Sequence, residues 1–134
     1  MYLRRNRKKK GGALVETVTG LFILVPIVLF LVDVVAMVMA QTANDALAKD
    51  CARAAASAPD AAQASTAVAG IVASFNSPVL SNVSANITSY NAGSTVTVQT
   101  QVTFTFPVQV PFVGVSSQDF AATATEPVVG VLPT

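Results

Sequence analysis

Glu16 is the first residue of this chain whose type and position could do chemistry. It follows Lys8-Lys9-Lys10-Gly11-Gly12-Ala13-Leu14-Val15, and sixteen uncharged residues separate it from the next charge, Asp33. An ionisable group at the edge of a long apolar run has a partner and a task more often than not. A carboxylate in a first helical turn also suits the positive end of the helix dipole. Asp33 lies late in the same run, where it is either solvated at an outer interface or paired with a neighbouring chain across bundled helices. Cys51 is the single cysteine, so no internal disulfide forms. The alanines around it favour a small buried helix residue over an intermolecular bond.

The remaining candidates for chemistry are weak. The chain has no histidine, so none of its ten serines has an imidazole base. One cysteine and scattered acids make no metal-ligand spacing. Gly11-Gly12 has no strand before it and is no phosphate loop. Asn82-Val83-Ser84 and Asn86-Ile87-Thr88 match a glycosylation pattern that recurs by chance in a chain rich in serine and threonine. The expectation is a non-catalytic protein with no cofactor, no metal and no small-molecule substrate.

The element that must carry Glu16 and Asp33 is a helix. Leu14 to Ala40 is twenty-seven residues, about 40 Å at ~1.5 Å per residue, whereas a hydrocarbon core needs ~20 residues. Arg4, Arg5, Arg7, Lys8, Lys9 and Lys10 precede the run, and only Lys49 and Arg53 come after it. That bias predicts a single pass with the N-terminus cytoplasmic and the C-terminal part outside. Pro26 predicts a kink near Phe22, because its ring removes a backbone donor and clashes with the carbonyl four residues back. An ordinary secretory signal cut after Val38-Met39-Ala40 is the competing reading. Its apolar stretch would far exceed the usual ~7–15 residues and would hold Glu16, Pro26 and Asp33. The net charge of +1 hides an asymmetry: without the basic head, two cations face seven acids. This argues against nucleic acid as partner and for contact of the basic N-terminus with anionic lipid.

Gly11-Gly12-Ala13-Leu14-Val15-Glu16 resembles the processing site of prepilin-type (class III) signal peptides. In that family a membrane peptidase cuts after a glycine on the cytoplasmic side, and glutamate is usually the fifth residue of the mature chain. The resemblance therefore implies cleavage between Gly11 and Gly12. Together with Leu24-Val25-Pro26-Ile27-Val28-Leu29 and Asp33, the stretch is similar to the opening of TadE-like pseudopilins of the tight-adherence (Flp) pilus system. Thr17 stands where an aromatic is usual in that family. The alanine-rich run Gln41 to Ala58 resembles the next helix of that family, and Val96 to Phe106 and Phe120 to Thr125 resemble its closing strands. The resemblance implies a minor pilin or pseudopilin of the bacterial cytoplasmic membrane. Its partners would be a prepilin peptidase, other pilins of the same system and membrane lipid, and Glu16 would be the assembly carboxylate. Two other readings stay open, a major pilus subunit and a membrane-anchored extracytoplasmic binding module.

Behind the apolar run the helix is expected to continue. Leu47, Cys51, Ala54, Ala55 and Ala58 recur at helical spacing as an apolar side, and Asn44, Asp45, Lys49, Asp50 and Arg53 form a polar one. Ala58-Pro59 ends it. Asp60 caps a second helix whose stripe is Val68, Ile71, Val72 and Phe75. The period then changes to two. Val83, Ala85 and Ile87 alternate with polar residues, and Asn91-Ala92-Gly93 supplies a turn. Val96, Val98, Val102, Phe104 and Phe106 then face one way, with Thr100 among them. Pro107 and Pro111 open a loop through Phe112, Gly114 and Ser117. A last strand, Phe120 to Thr125, precedes a proline-bounded tail from Pro127. The expected fold is α+β: a long N-terminal transmembrane helix continuing into a small head with a second helix and a three-stranded antiparallel sheet. Its parts are a basic leader (1–11), a long helix (12–58, transmembrane about 14–40) and the head (59–134).

Overall fold

The computed structural model describes residues 9–108, 114 and 116–130. Two helices and three strands succeed one another: α1 (Lys9–Ala56), α2 (Ala61–Ser74), β1 (Leu80–Tyr90), β2 (Thr95–Thr105) and β3 (Ser117–Pro127). The strands form one antiparallel sheet in the order β1-β2-β3. The α+β layout expected from the periodicities is the one observed.

α1 is 48 residues long, about 72 Å. It runs through Pro26 without a break, although Pro26 has no N–H to offer the Phe22 carbonyl. Gly11 and Gly12 are helical too, so α1 starts before the expected boundary at residue 12. It closes at Ala56 rather than Ala58. Ser57 N–H still reaches the Arg53 carbonyl at 3.1 Å, and Ala58 N–H turns to Ala55 at 3.2 Å, ahead of Pro59. Asp60 caps α2 as expected: its Oδ1 accepts the Gln63 N–H at 2.8 Å.

β2 is the central strand, and its alternation is strict. Val96, Val98, Thr100, Val102 and Phe104 are buried, and the residues between them are half-buried or exposed. α1 lies over β2 and β3, and α2 packs against α1 and β1. The helix face meeting the sheet is mostly alanine. Ala40, Ala48, Ala52, Ala55 and Ala56 are buried, with Leu47 and Cys51 among them, so helix and sheet approach closely. Phe104 packs edge-on against Phe106 at 5.0 Å and tilted against Phe120 at 6.0 Å. These rings fill the end of the core where β2 leaves for the loop.

β1 departs from simple alternation at two places. Its register shifts between Ser81 and Ser84, and again between Ile87 and Ser89. Asn82, at φ +49°, sits inside the first shift. Each bulge adds one residue and reverses which parity faces inward. Leu80 and Tyr90, even-numbered, therefore share the inner face with Val83, Ala85 and Ile87. At the β1–β2 turn, Gly93 takes φ +73°, a conformation that glycine adopts without a Cβ clash.

The segment from Pro127 to Gly130 is not a loose tail. β3 runs to Pro127, further than the expected Thr125, and begins at Ser117, a residue expected in the loop. Val128 is buried, and the Val129 and Gly130 N–H groups both donate to the Ala56 carbonyl, at 2.9 and 3.1 Å. Helices end with carbonyls that lack partners, and here the C-terminal segment supplies donors. Tyr90 adds a third, its hydroxyl donating to the Ala58 carbonyl at 2.7 Å. The apposition is tight: a Cβ on Gly130 would clash with the Ser57 carbonyl and lie 2.6 Å from the oxygen of Ala58. Pro111 and Phe112 of the expected loop lie outside the described residues.

Gly130→Ala should therefore destabilise the head by about 1–3 kcal/mol, because backbone has to move to admit the methyl. Thermal unfolding of the full chain in detergent, followed by near-UV circular dichroism, measures this. The control Gly70→Ala, at a helical position with open space around it, should hold or raise the midpoint.

Candidate functional site

The long helix divides into two environments. From Gly11 to Val32, every residue is exposed except Pro26 and Leu29, which are partly covered. That segment is 22 residues, about 33 Å, close to the ~30 Å of a hydrocarbon core. α1 is the one helix among the described residues that is long and apolar enough to cross a membrane. Leu14, Val18, Leu21, Phe22 and Leu24 are each more than half exposed, so the apolar surface goes all the way round rather than forming a stripe. A helix of this kind is stable only when an apolar medium or other helices surround it.

Glu16 stands on this bare segment, exposed, near its start. Next to it, the Thr17 hydroxyl turns back to the Ala13 carbonyl at 2.9 Å, which keeps that polar group inside the helix's own bonding. Among the described residues none crowds Gly11 or Gly12, and a Cβ at either would meet open space. The glycines are therefore not demanded by packing within this chain.

Asp33 marks the boundary between the two environments. It is only 5 % exposed, and its Oδ1 accepts the Val108 N–H at 3.3 Å. It is thus not solvated, and among the described residues its carboxylate bonds to a backbone amide of its own chain. Val108, just after β2, meets the helix at this level. Beyond Asp33, Ala36, Met37 and Ala40 are covered by the head, while Val34, Val35, Val38 and Met39 on the other side stay exposed. The expected span to residue 40 is accordingly bare on all sides only as far as Val32.

Asn44 corrects the expected polar side of α1. It is fully buried and faces the sheet, where its Oδ1 accepts the Thr100 hydroxyl at 2.8 Å. Its Nδ2 has no partner among the described residues. Residue type suggests solvent, but spacing places Asn44 three and seven residues before Leu47 and Cys51, on the apolar face. Asp45, Lys49, Asp50 and Arg53 are exposed as expected. The Arg53–Glu126 pair is 3.8 Å apart and largely solvated, so it adds little.

The Asn44–Thr100 bond has a positional consequence. An alanine face offers a sheet nearly equivalent contacts after a slip of one turn, ~5.4 Å. A slipped helix would set the Asn44 amide against valine or phenylalanine with no acceptor or donor nearby, at a cost of about 1–3 kcal/mol. Asp33–Val108 below and Ala56–Gly130 above act in the same direction. The three contacts hold the head at one height along the helix.

Cys51 is fully buried on that face, as the alanines around it suggest. Burial first, and the Asp50 carboxylate second, push its thiol above the ordinary value. The thiol form is thereby favoured by folding. This contribution to stability is complete below the ordinary value of 9.0 and is lost as pH rises through the folded one. Among the described residues no group of histidine, cysteine and carboxylates could hold a metal ion.

Thr100→Val should destabilise the head by about 1–3 kcal/mol, because the Asn44 amide then has no partner among the described residues, and Asn44→Ala should cost less, because the Thr100 hydroxyl keeps the Ala122 carbonyl at 3.5 Å. The double variant should cost less than the sum, since neither group is then left alone. Urea unfolding of the four proteins checks this, and strict additivity would refute the coupling. Cys51 should react with a thiol reagent at neutral pH only as fast as the head unfolds. Labelling without denaturant at the rate of a free thiol would contradict its burial.

No protein-family model, no curated protein and no solved structure matches this chain.

Proposed function

We propose that this protein is a structural component of a tight-adherence-type pilus system, a minor pilin or pseudopilin that a prepilin peptidase trims after Gly11. The observation that carries the reading is the junction Lys8-Lys9-Lys10-Gly11-Gly12-Ala13-Leu14-Val15-Glu16 at the head of an apolar segment bare on every side. An ordinary anchor needs no glycine pair and no carboxylate there. On this reading α1 sits in the cytoplasmic membrane with its cations inside. The head, in which no lysine or arginine follows Arg53, lies outside, in agreement with the preference of translocated segments for few cations.

Cleavage would give Gly12 a free amino group, cationic at neutral pH, one helical turn from Glu16. A carboxylate among apolar helices is costly unless paired. Pairing with the Gly12 amine of a neighbouring chain would set the stagger between helices and make assembly depend on processing. A membrane-anchored binding module is the second reading. It is favoured only by the compact head, since a head held at one height suits a displayed surface as well.

Co-expression with a prepilin peptidase should yield a mature chain that begins at Gly12, read by intact mass or N-terminal sequencing. A chain beginning at Gln41 would identify ordinary secretion, and an untrimmed chain would favour the anchored module. Glu16→Ala and Glu16→Gln should both be inserted and trimmed, yet fail to co-purify with the pilins of the system. Normal co-purification of both would reduce Glu16 to a first-turn helix residue.

A further inference from the structure

The upper boundary of the bare apolar surface on α1 is oblique. On the side that faces the head it stops at Asp33, where Val108 meets the helix. On the opposite side it continues. Leu24, Val28, Leu31, Val35 and Val38 follow one another at intervals of three or four residues and so share that side. Val38 is 61 % exposed and its neighbour Met39 68 %, as bare as Leu14 at 67 %. Thr42 comes next in the row, and its hydroxyl donates to the Val38 carbonyl at 2.9 Å. Thr17 does the same to Ala13 inside the bare segment, so neither hydroxyl requires water. The first charge on this side is Asp45, which is exposed.

From Val32 to Met39 the chain climbs seven residues, ~10 Å of helix. A helix with its side chains is ~10–12 Å across, so the boundary is inclined by about 40° to the helix cross-section. A flat lipid surface cannot follow such a boundary around an upright helix. It either leaves Val35, Val38 and Met39 in water, or draws the foot of the head into hydrocarbon. That foot holds Thr105 and Ser117, which pair at the lower end of the sheet and are both exposed. The length of the run agrees. Leu14 to Ala40 measures about 40 Å against a core of ~30 Å, and a run longer than the core is taken in by leaning.

We infer that α1 crosses the bilayer leaning away from the head, so that Val35, Val38 and Met39 on its underside lie in the hydrocarbon of the outer leaflet and the foot of the head on its upper side stays in water. Lipid is the occupant of this face because the row continues upward a surface that is apolar all round, with no unsatisfied polar group for a protein partner to match. The head sets the lean, since it covers one side of the helix from Asp33 upward and leaves the other bare. The inference rests on the membrane part of the proposed reading and not on its pilus part.

Solid-state NMR of the full chain, isotope-labelled at its valine nitrogens in aligned bilayers of phosphatidylethanolamine and phosphatidylglycerol, reads both the tilt of the helix and the side turned down. The expected tilt exceeds about 25°, more than the ~20° average of membrane helices, with Val35 and Val38 on the lower side. A smaller tilt, or one that turns these valines upward, overturns the inference. Val35→Asn combined with Val38→Asn alters two exposed positions and should leave the near-UV circular dichroism of the head unchanged. It should bring the tilt below that threshold, and a tilt that stays above it overturns lipid contact as the cause. The tilt should also persist as the protein is diluted in lipid. Its loss on dilution identifies a second copy on this face and overturns lipid as the occupant. A chain that alkaline carbonate strips from membranes defeats the membrane reading and the lean with it, whereas an inserted, upright chain defeats the lean alone. A leaning chain that a prepilin peptidase leaves untrimmed supports the lean and defeats the pilus reading alone.

Discussion

The structure depends on one contact, the alanine face of α1 against the inner face of β2. Neither element is stable by itself: a three-stranded sheet needs a cover for its apolar side, and the upper half of α1 is too polar on its other side to be surrounded by apolar medium. Val96, Val98, Val102 and Phe104 are buried only because α1 lies on them. Small side chains on the helix bring the two backbones close, and large ones on the strand fill the space. A close, smooth interface of this kind is strong in area and weak in register, which is why its polar exceptions matter. Asn44 and Thr100 bury a hydrogen bond in the middle of it. Their contribution lies in the arrangements they exclude more than in the energy of the bond itself.

That register sets the geometry at both ends. Below, it brings the loop after β2 down to Asp33, where the helix passes from a covered to a bare surface. Above, it places the C-terminal segment across the last carbonyls of α1. The head thus meets the helix at three levels, at Asp33, Asn44 and Ala56. In the proposed pilus system a rigid junction would let the position of the helix in its bundle fix the position of the head on the outside.

The charge distribution supports the same division. All cations but Lys49 and Arg53 precede the apolar segment, and the head carries three acids in Asp60, Asp119 and Glu126. The outer face of the sheet is mainly threonine, glutamine, serine and asparagine, with Ala121 among them and Asp119 as its one carboxylate among the described residues. The Asn82, Thr103 and Asp119 side chains bond to one another across all three strands there. Such a face is wet and carries little charge.

The elements and their burial are legible in the residues alone. Leu14 to Ala40, twenty-seven residues whose only charges are Glu16 and Asp33, is long and apolar enough for a helix of bilayer length. Period-two alternation in Val96 to Phe106 assigns the buried side of the central strand, and Asp60 and Gly93 mark a cap and a turn by their own backbone preferences. These are local properties, carried by residues that need no distant partner. Contacts between segments far apart in the chain are another matter, and they emerge only on folding. Asn44 reads as a solvent residue until Thr100, 56 positions later, meets it. Asp33 reads as an interfacial carboxylate until Val108 returns to it, and Gly130 as part of a tail until Ser57 stands where its side chain would be. The β1 bulges are equally hidden, because an extra residue in one strand is defined only by the strand beside it. Local preference is written in neighbouring residues, whereas register and apposition arise only when the folded chain sets one segment against another.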